Sequence, residues 1–358
     1  MHDWTVKVDT GDEFRFRPEF VTPFGFQDLM TILNPSKGAT EPVTHHVELF
    51  ATHATINENE ITGTGRVRMT ARMGFNEKAS VYALVMGGWL PPGICPNNRF
   101  LVDRNVVSLL KQMAQRPDDL PPAQRDYWLR FFEDPEIMLN PLPFAFEGRD
   151  RRRPSKAEFI AEFEEGQRAI RAAMPLAQVT TYAAPHFDGS YALLESLKKH
   201  EARETTFLLE VVPIIQDRPG VAKTLRAENR VIEAARRHNV SLGSLVVVAA
   251  LSCIYEGDLG ISPARRVLKP SPAYGKEEAY NALADLRHLE LKLAGAKAIG
   301  DGEFALCTAD EGLALFWCGL PCALKEDGRT FRSQLTLDLF PRLNESGLSR
   351  LGNRLSGR

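Results

Sequence analysis

The chain has 358 residues, of which 44% are hydrophobic and 25% charged, and a formal net charge of −2. That length has room for two domains, or for one large domain with insertions. The composition is that of an ordinary globular protein, and the near-neutral balance leaves only local patches, not a global basic field, to attract nucleic acid. The longest apolar stretch, Ser244 to Tyr255, is too short to span a bilayer and suits a buried helix. The opening Met1-His2-Asp3-Trp4 has no apolar segment, so no signal peptide and no membrane partner are expected. The cysteines are Cys95, Cys253, Cys307, Cys318 and Cys322. Their odd number and the lack of C-x2-C spacing argue against a disulfide framework and for a reducing, cytoplasmic setting. Core thiols are favoured over a zinc site at Cys318 and Cys322.

In chain order, residues 1–95 read as a β-rich N-terminal region. Its strand candidates are His45–Thr55, Ile61–Met73 and Ala79–Met86, with Asn57 to Glu60 as a turn. A boundary is expected near residues 90–98, at Pro91-Pro92-Gly93. The second unit, 99–330, opens with the strand Phe100-Leu101-Val102, Asp103, and a helix to about Gln115. A second helix is expected from Ala123 to Glu133. The proline-rich run Ile137 to Phe146, ending at Glu147, reads as an edge strand or extended segment. From 155 to 255 the pattern is helical and begins at the capping box Ser155-x-x-Glu158. A further helix is expected over Glu277–Lys297, then the Phe304 strand, Asp310, and a helix from Glu311 to Cys318. The tail, 331–358, reads as frayed toward its end.

Two aspartates, Asp103 and Asp310, thus end short buried strands and begin helices. In an open parallel sheet that position is the carboxyl edge, where ligands bind. Glu147 ends another apolar run, and Asp285 lies in the helix before the Asp310 strand. Carboxylates gathered in one crevice repel each other unless a cation compensates them. Hard divalent ions, Mg²⁺ or Mn²⁺, favour carboxylate oxygens, and a pair of them roughly 4 Å apart supports phosphodiester cleavage without a protein nucleophile.

Phe100-Leu-Val-Asp-Arg-Asn-Val-Val107, Pro143-Phe-Ala-Phe-Glu-Gly148, Ala282-Leu-Ala-Asp-Leu-Arg287 and Cys307-Thr-Ala-Asp-Glu-Gly-Leu313 occur in this order. Over about residues 99–325 the chain resembles the PIN-domain nucleases, which include the toxin ribonucleases of toxin–antitoxin pairs. The resemblance implies a Rossmannoid parallel sheet with helices on both faces. It also implies a metal-dependent endoribonuclease with Asp103, Glu147, Asp285 and Asp310 as catalytic metal ligands. Asn105 and Thr308 would support them. The span exceeds the family's usual length, and the excess is read as a helical insertion at 155–255. Glu256, Asp258 and Glu290 compete with Asp285 as third ligand.

The basic run Arg149, Arg151, Arg152 and Arg153 follows Glu147 and would hold the phosphate backbone, RNA before DNA. The N-terminal region or the insertion could dock a protein partner. The bland reading takes Asp103 and Asp310 as helix N-caps, Asp285 as part of a solvated face, and the arginines as a solvated loop. His45, His46 and His53 are weak metal candidates, because neighbours in a strand face opposite sides. Two alternatives remain: an interaction scaffold with a degenerate PIN-like core, and a Rossmann-like phosphatase, for which Arg104-Asn105 lacks the second acid.

Overall fold

The computed structural model describes residues 4–7, 11–34, 43–56, 59–60, 67–75, 81–115, 132, 136–257, 262–300, 304–320, 322–324 and 331–356. The helix expected over Ala123–Glu133, half of the Asn57–Glu60 turn, and Asp258 lie outside them in large part or wholly, as do the side chains of His45, His46 and His53.

An antiparallel sheet comes first: β1 (Trp4–Lys7), β2 (Glu13–Val21), β3 (Val43–Ile56), β4 (Asn59–Glu60) and β5 (Val67–Phe75). Its order is β1-β2-β3, and both β4 and β5 pair with β3. Helix α1 (Phe26–Leu33) follows β2 and buries Phe26, Leu29 and Ile32.

The second sheet carries the rest of the architecture. Its strands are β6 (Tyr82–Val85), β7 (Gly88–Leu90), β8 (Arg99–Val102), β9 (Met138–Asn140), β10 (Gln178–Val179) and β11 (Ala305–Thr308), in the order β10-β9-β8-β11-β6-β7. Strands β10, β9, β8 and β11 run parallel, whereas β6 is antiparallel to β11 and closes a hairpin with β7. The protein is therefore α/β with a mixed six-stranded sheet, which corrects the all-parallel expectation. Every residue of β6 and β11 is buried, so both faces of these central strands are covered.

The strand expected over Ala79–Met86 pairs with β11 and belongs to this second sheet. The β7 end is tied to the N-terminal part through the Phe24–Trp89 bridge, with N–H···O distances of 2.9 and 3.0 Å. Gly88 makes that approach possible. A Cβ there would lie 2.1 Å from the Phe24 carbonyl oxygen, and φ is +158°.

Helix α2 (Arg104–Gln115) connects β8 to β9. The run after β9 is not one extended segment. Only Met138–Asn140 is strand; Pro141 then starts α3 (Leu142–Glu147), with Pro143 in its first turn. Proline suits a first turn because its missing N–H has no helical partner there, and the Asn140 side chain accepts the Leu142 N–H at 3.1 Å. Glu147 thus ends a helix, not a strand. Helix α4 (Lys156–Ala173) starts at the expected capping box, where the Glu158 carboxylate accepts the Ser155 N–H at 2.7 Å. Because β10 follows α4 and pairs with β9, the start of the presumed insertion is part of the sheet. Phe146, Phe159, Phe163, Leu194 and Leu291 form a small second core beneath α3.

Helices α5 (Ala184–Leu197), α6 (Glu201–Gln216), α7 (Val221–Arg237), α8 (Leu245–Ile254) and α9 (Pro263–Leu268) follow. Every residue of α8 is buried, as its apolar run implies. Helix α10 (Lys276–Ile299) leads to β11, then α11 (Glu311–Cys318). After a short hairpin, β12 (Cys322–Leu324) and β13 (Phe331–Ser333), comes α12 (Glu345–Leu355).

The tail is docked, contrary to the frayed reading. Asn344 caps α12, Leu351 is fully buried, and Arg350 reaches the buried Glu228 on α7 with contacts of 2.6 and 2.7 Å. Among the described residues no helix is long and apolar enough to cross a membrane. Cys253, Cys307 and Cys318 are free thiols, and all three are buried, as is Cys95.

Candidate functional site: an acidic cluster at the switch point of the sheet

The chain leaves β8, builds β9 and β10 on one side, and returns through the helices to β11 on the other. That reversal is a topological switch point, and the crevice beyond its strand ends is where open α/β sheets bind ligands. Asp103 follows β8 and Thr308-Ala309-Asp310 closes β11. The parallel ladder runs on to this edge, with the Asp103 N–H donating to the Cys307 carbonyl at 3.1 Å.

Thr308 joins the two aspartates. Its hydroxyl oxygen accepts the Asp310 N–H at 3.0 Å and hydrogen-bonds the Asp103 carboxylate. Since the oxygen accepts from Asp310, its proton goes to Asp103. Both aspartates are also N-caps: Asp103 Oδ1 accepts from Val106 at 2.9 Å, and Asp310 Oδ1 from Leu313 at 2.8 Å. The capping reading is therefore true, but it occupies one oxygen of each carboxylate and leaves Oδ2 of Asp310 turned toward Lys269.

Glu147 and Asp285 arrive from elsewhere in the chain. Asp285 sits on α10, which is not a surface helix. Arg287, His288 and Lys292 on it are 4%, 3% and 0% exposed, and Asp285 itself is 16% exposed. This overturns the solvated-face reading of Asp285. His288 donates through Nε2 to the Pro143 carbonyl at 3.2 Å, and burial pushes its pKa down to about 4, so it links α10 to α3 as a neutral ring. Burial raises the Asp285 pKa, and the charges of Asp310, Glu147 and Asp103 raise it further. The four carboxylates thus share one electrostatic site.

Two cations face them. Lys269, the left-handed C-cap of α9 (φ +49°), places Nζ 3.5 Å from Asp285 Oδ2 and 3.8 Å from Asp310 Oδ2. Burial works against its ammonium, but Asp285, Asp310 and Glu147 outweigh that and hold its pKa above the ordinary lysine value. Arg104 lies with Nε 3.6 Å from Glu147 Oε1, donates to Glu162 at 2.9 Å and to the Phe144 carbonyl at 3.1 Å, and stacks 4.1 Å from the Phe144 ring centroid. Burial raises the Glu147 pKa while Arg104 and Lys269 oppose it. Neither cation was singled out from the sequence. Lys269 follows a short helix with no motif around it, and Arg104 figures in the sequence only as part of the Asp103 motif, with no role of its own.

The remaining candidates divide. Asn105 is exposed on the first turn of α2. Arg149 pairs with Glu162 at 3.1 Å and with Glu165; Arg151 pairs with Glu277 at 2.9 Å, Arg152 with Glu158 and Asp150, and Arg153 with Glu195. All four are at least partly exposed, and such pairs are weak and exchangeable. Arg149 and Arg152 line a cleft of about 320 Å³ against α4. The competitors for third acid lie elsewhere: Glu256 is held by Arg265 at 2.9 Å and Arg218 at 2.7 Å, and Glu290 lines a separate cavity with Glu204.

The donors at the switch point are carboxylate and hydroxyl oxygens, the chemistry of a hard cation site. Among the described residues no three acidic, histidine or cysteine groups are arranged to hold one ion as they stand. Lys269 already supplies the compensating charge between two of them. The donor set fits a divalent cation in kind, provided Lys269 yields its place.

The raised acids give a pH signature. Asp103 is pushed up to about 7, by burial first and by Glu147 and Asp310 next, against the hydrogen bonds from Thr308 and Val106. A folded carboxyl that holds its proton while the unfolded one has released it favours the folded state at low pH. Stability is expected to fall as pH rises from about 4 to about 7, by up to about 1.4 kcal/mol per pH unit for each such group. His288, lowered from 6.5 to about 4, acts oppositely within this window and offsets part of the fall; Glu228, Glu165 and Glu210, whose pKa values are also lowered, act oppositely only at lower pH. Melting temperatures between pH 5 and pH 8 check this; a flat profile would contradict it.

Fold and site together define an α/β protein with a mixed six-stranded sheet and a lysine-compensated acidic cluster at its switch point. No family model matches the chain, and no curated protein or solved structure matches it.

Proposed function

We propose that the protein is a metal-dependent phosphodiesterase of the PIN-like nuclease type, acting on RNA. The observation that carries this reading is the convergence of acids from separate elements at the carboxyl edge of β8 and β11, where Asp285 and Asp310 share Lys269 at 3.5 and 3.8 Å, Asp103 caps the helix after β8, and Glu147 meets Arg104 at 3.6 Å. Mg²⁺ or Mn²⁺ held by these residues would activate a water and stabilise the leaving oxygen of a phosphodiester. The chain's own groups prepare that site. Thr308 locks Asp103 against Asp310, Arg104 orients Glu147, and the N-terminal dipoles of α2 and α11 add positive field at the two aspartates. Lys269 compensates Asp285 and Asp310 in the absence of metal. The exposed arginines from 149 to 153 can exchange their carboxylate partners for phosphates.

Titration with Mn²⁺ in a calorimeter, together with cleavage of a labelled single-stranded RNA, tests the proposal. Saturable binding that raises the melting temperature, and cleavage abolished by a chelator, are expected. A second reading, a non-catalytic interaction protein, is favoured by one observation: Lys269 and the arginines already find partners within the chain. Absence of both Mn²⁺ binding and cleavage would establish that alternative over the nuclease.

A further inference from the structure

Next to Glu147, on the other side of Tyr280, lies a cavity of about 510 Å³ lined by Arg153, Lys198, Lys199 and Lys276, with one acid, Glu201. The cations come from three separate parts of the chain: the loop before α4, the turn between α5 and α6, and the first residue of α10. Lys198 is only 4% exposed. Its Nζ donates to the Tyr280 hydroxyl at 2.8 Å and lies 4.8 Å from that ring's centroid. Tyr280 in turn donates to the carbonyls of Glu147 and Arg152, so its lone pair is what Lys198 meets.

Among the described residues Lys198 has no carboxylate within ion-pair distance. Lys199 and Lys276 are exposed and have no ion pair either. Arg153 is held by Glu195, and Glu201 faces Arg287 at 3.6 Å. A buried ammonium with one neutral partner is costly, and the charges of Arg287 and Arg153 act against it further. Burial pushes the Lys198 pKa down to about 8, while Glu201 and Glu147 hold it up only from a distance. An anion in the cavity would relieve the buried Lys198 and meet Lys199 and Lys276 in the same lining. Thr205, which also lines it, offers a hydroxyl donor suited to an oxyanion, whereas the Thr206 hydroxyl is already donated to the Ala202 carbonyl at 2.8 Å.

From this constellation we infer that the cavity binds a phosphate group, carried by the nucleic-acid strand whose scissile bond lies at the acidic cluster. The phosphate chemistry rests on the cavity alone, and the strand as its source rests on the nuclease reading. Tyr280 ties the two places together, since its hydroxyl bonds both Lys198 and the Glu147 backbone.

The test is fluorescence anisotropy of a labelled single-stranded RNA in EDTA, where neither metal nor cleavage contributes. It compares the full-length parent with a Lys199→Ala/Lys276→Ala double variant and with Lys198→Met. The double variant changes only exposed side chains, so it guards against a folding defect in Lys198→Met. Binding is expected to weaken about 10-fold or more in the double variant. The slope of log affinity against log salt should flatten by about 0.7, the loss of one single-strand phosphate contact. Millimolar inorganic phosphate should compete with RNA for the parent. Equal affinity and equal slope in parent and double variant would overturn the inference and leave the nuclease reading intact. If the parent binds no RNA, a phosphate-induced rise in melting temperature that the double variant lacks would retain the phosphate site and reject the strand as its source. No such rise would reject the site as well.

Discussion

An Asp103→Asn variant is expected to lose at least about 100-fold of metal-dependent RNA hydrolysis and yet, at pH 8, to melt a few degrees higher than the parent. The two effects have one cause. Asp103 is 2% exposed, and its pKa of about 7 means that at pH 8 the fold holds a buried carboxylate among Glu147 and Asp310. Relative to an ordinary aspartate at 3.8, forcing that charge on the folded state costs up to about 4 kcal/mol, and asparagine removes the charge with nearly the same shape. Its carbonyl still accepts the Val106 N–H, so the cap of α2 survives. Thr308, which now meets an amide donor, can accept in place of donating. The charge that would hold a divalent ion is gone, and stability bought at a functional site is the usual converse of lost activity. Calorimetric melting at pH 8 and pH 5 checks the first half, with the gain expected to shrink at pH 5, where the parent carboxyl is protonated. Unchanged hydrolysis, or a lower melting temperature at pH 8, would speak against this role for Asp103.

The largest effect on stability is expected at the opposite end of the chain. Glu228 has no exposed surface; it is held by Arg350 and Arg354 of α12 and by the Tyr255 hydroxyl. Despite its burial, those hydrogen bonds keep its pKa below the ordinary glutamate value. An Arg350→Ala/Arg354→Ala variant leaves a buried carboxylate with only Tyr255, a loss of about 3–5 kcal/mol. Melting is expected to drop by roughly five degrees. Adding Glu228→Gln to that variant should recover part of the loss, because the uncompensated charge disappears. A variant as stable as the parent would show that α12 is not a clamp. Truncating the chain before Asn344 should reproduce the double variant's melting temperature or lower it further, since Leu351 is lost from the core as well.

The elements that local pattern determines are the ones with a cap or a period of their own. Helix α11 was legible to the residue, because Asp310 caps it and the apolar run Leu313 to Cys318 follows. Likewise α2 after Asp103, α4 after its capping box, and α8 from its continuous apolar run were readable in advance. The same local signals identified Asp103 and Asp310, since a strand-end aspartate that caps a helix is written in adjacent residues. What the linear chain could not specify is which distant groups share a space. That β6 pairs with β11, and that the arginines of the Arg149–Arg153 loop are already matched by carboxylates, are decided by packing between separate segments. So is the docking of α12, whose Ser, Gly and Arg content reads as solvent-exposed until Glu228 is placed beneath it.

The acidic cluster itself divides along this line. Its members can be named from sequence, but their charge state cannot. Asp103 is raised because the surrounding sheet and helices exclude water, and Lys269 compensates Asp285 and Asp310 only because the left-handed end of α9 aims it there. Burial and through-space charge act over distance, not over sequence separation, so only the tertiary structure decides them.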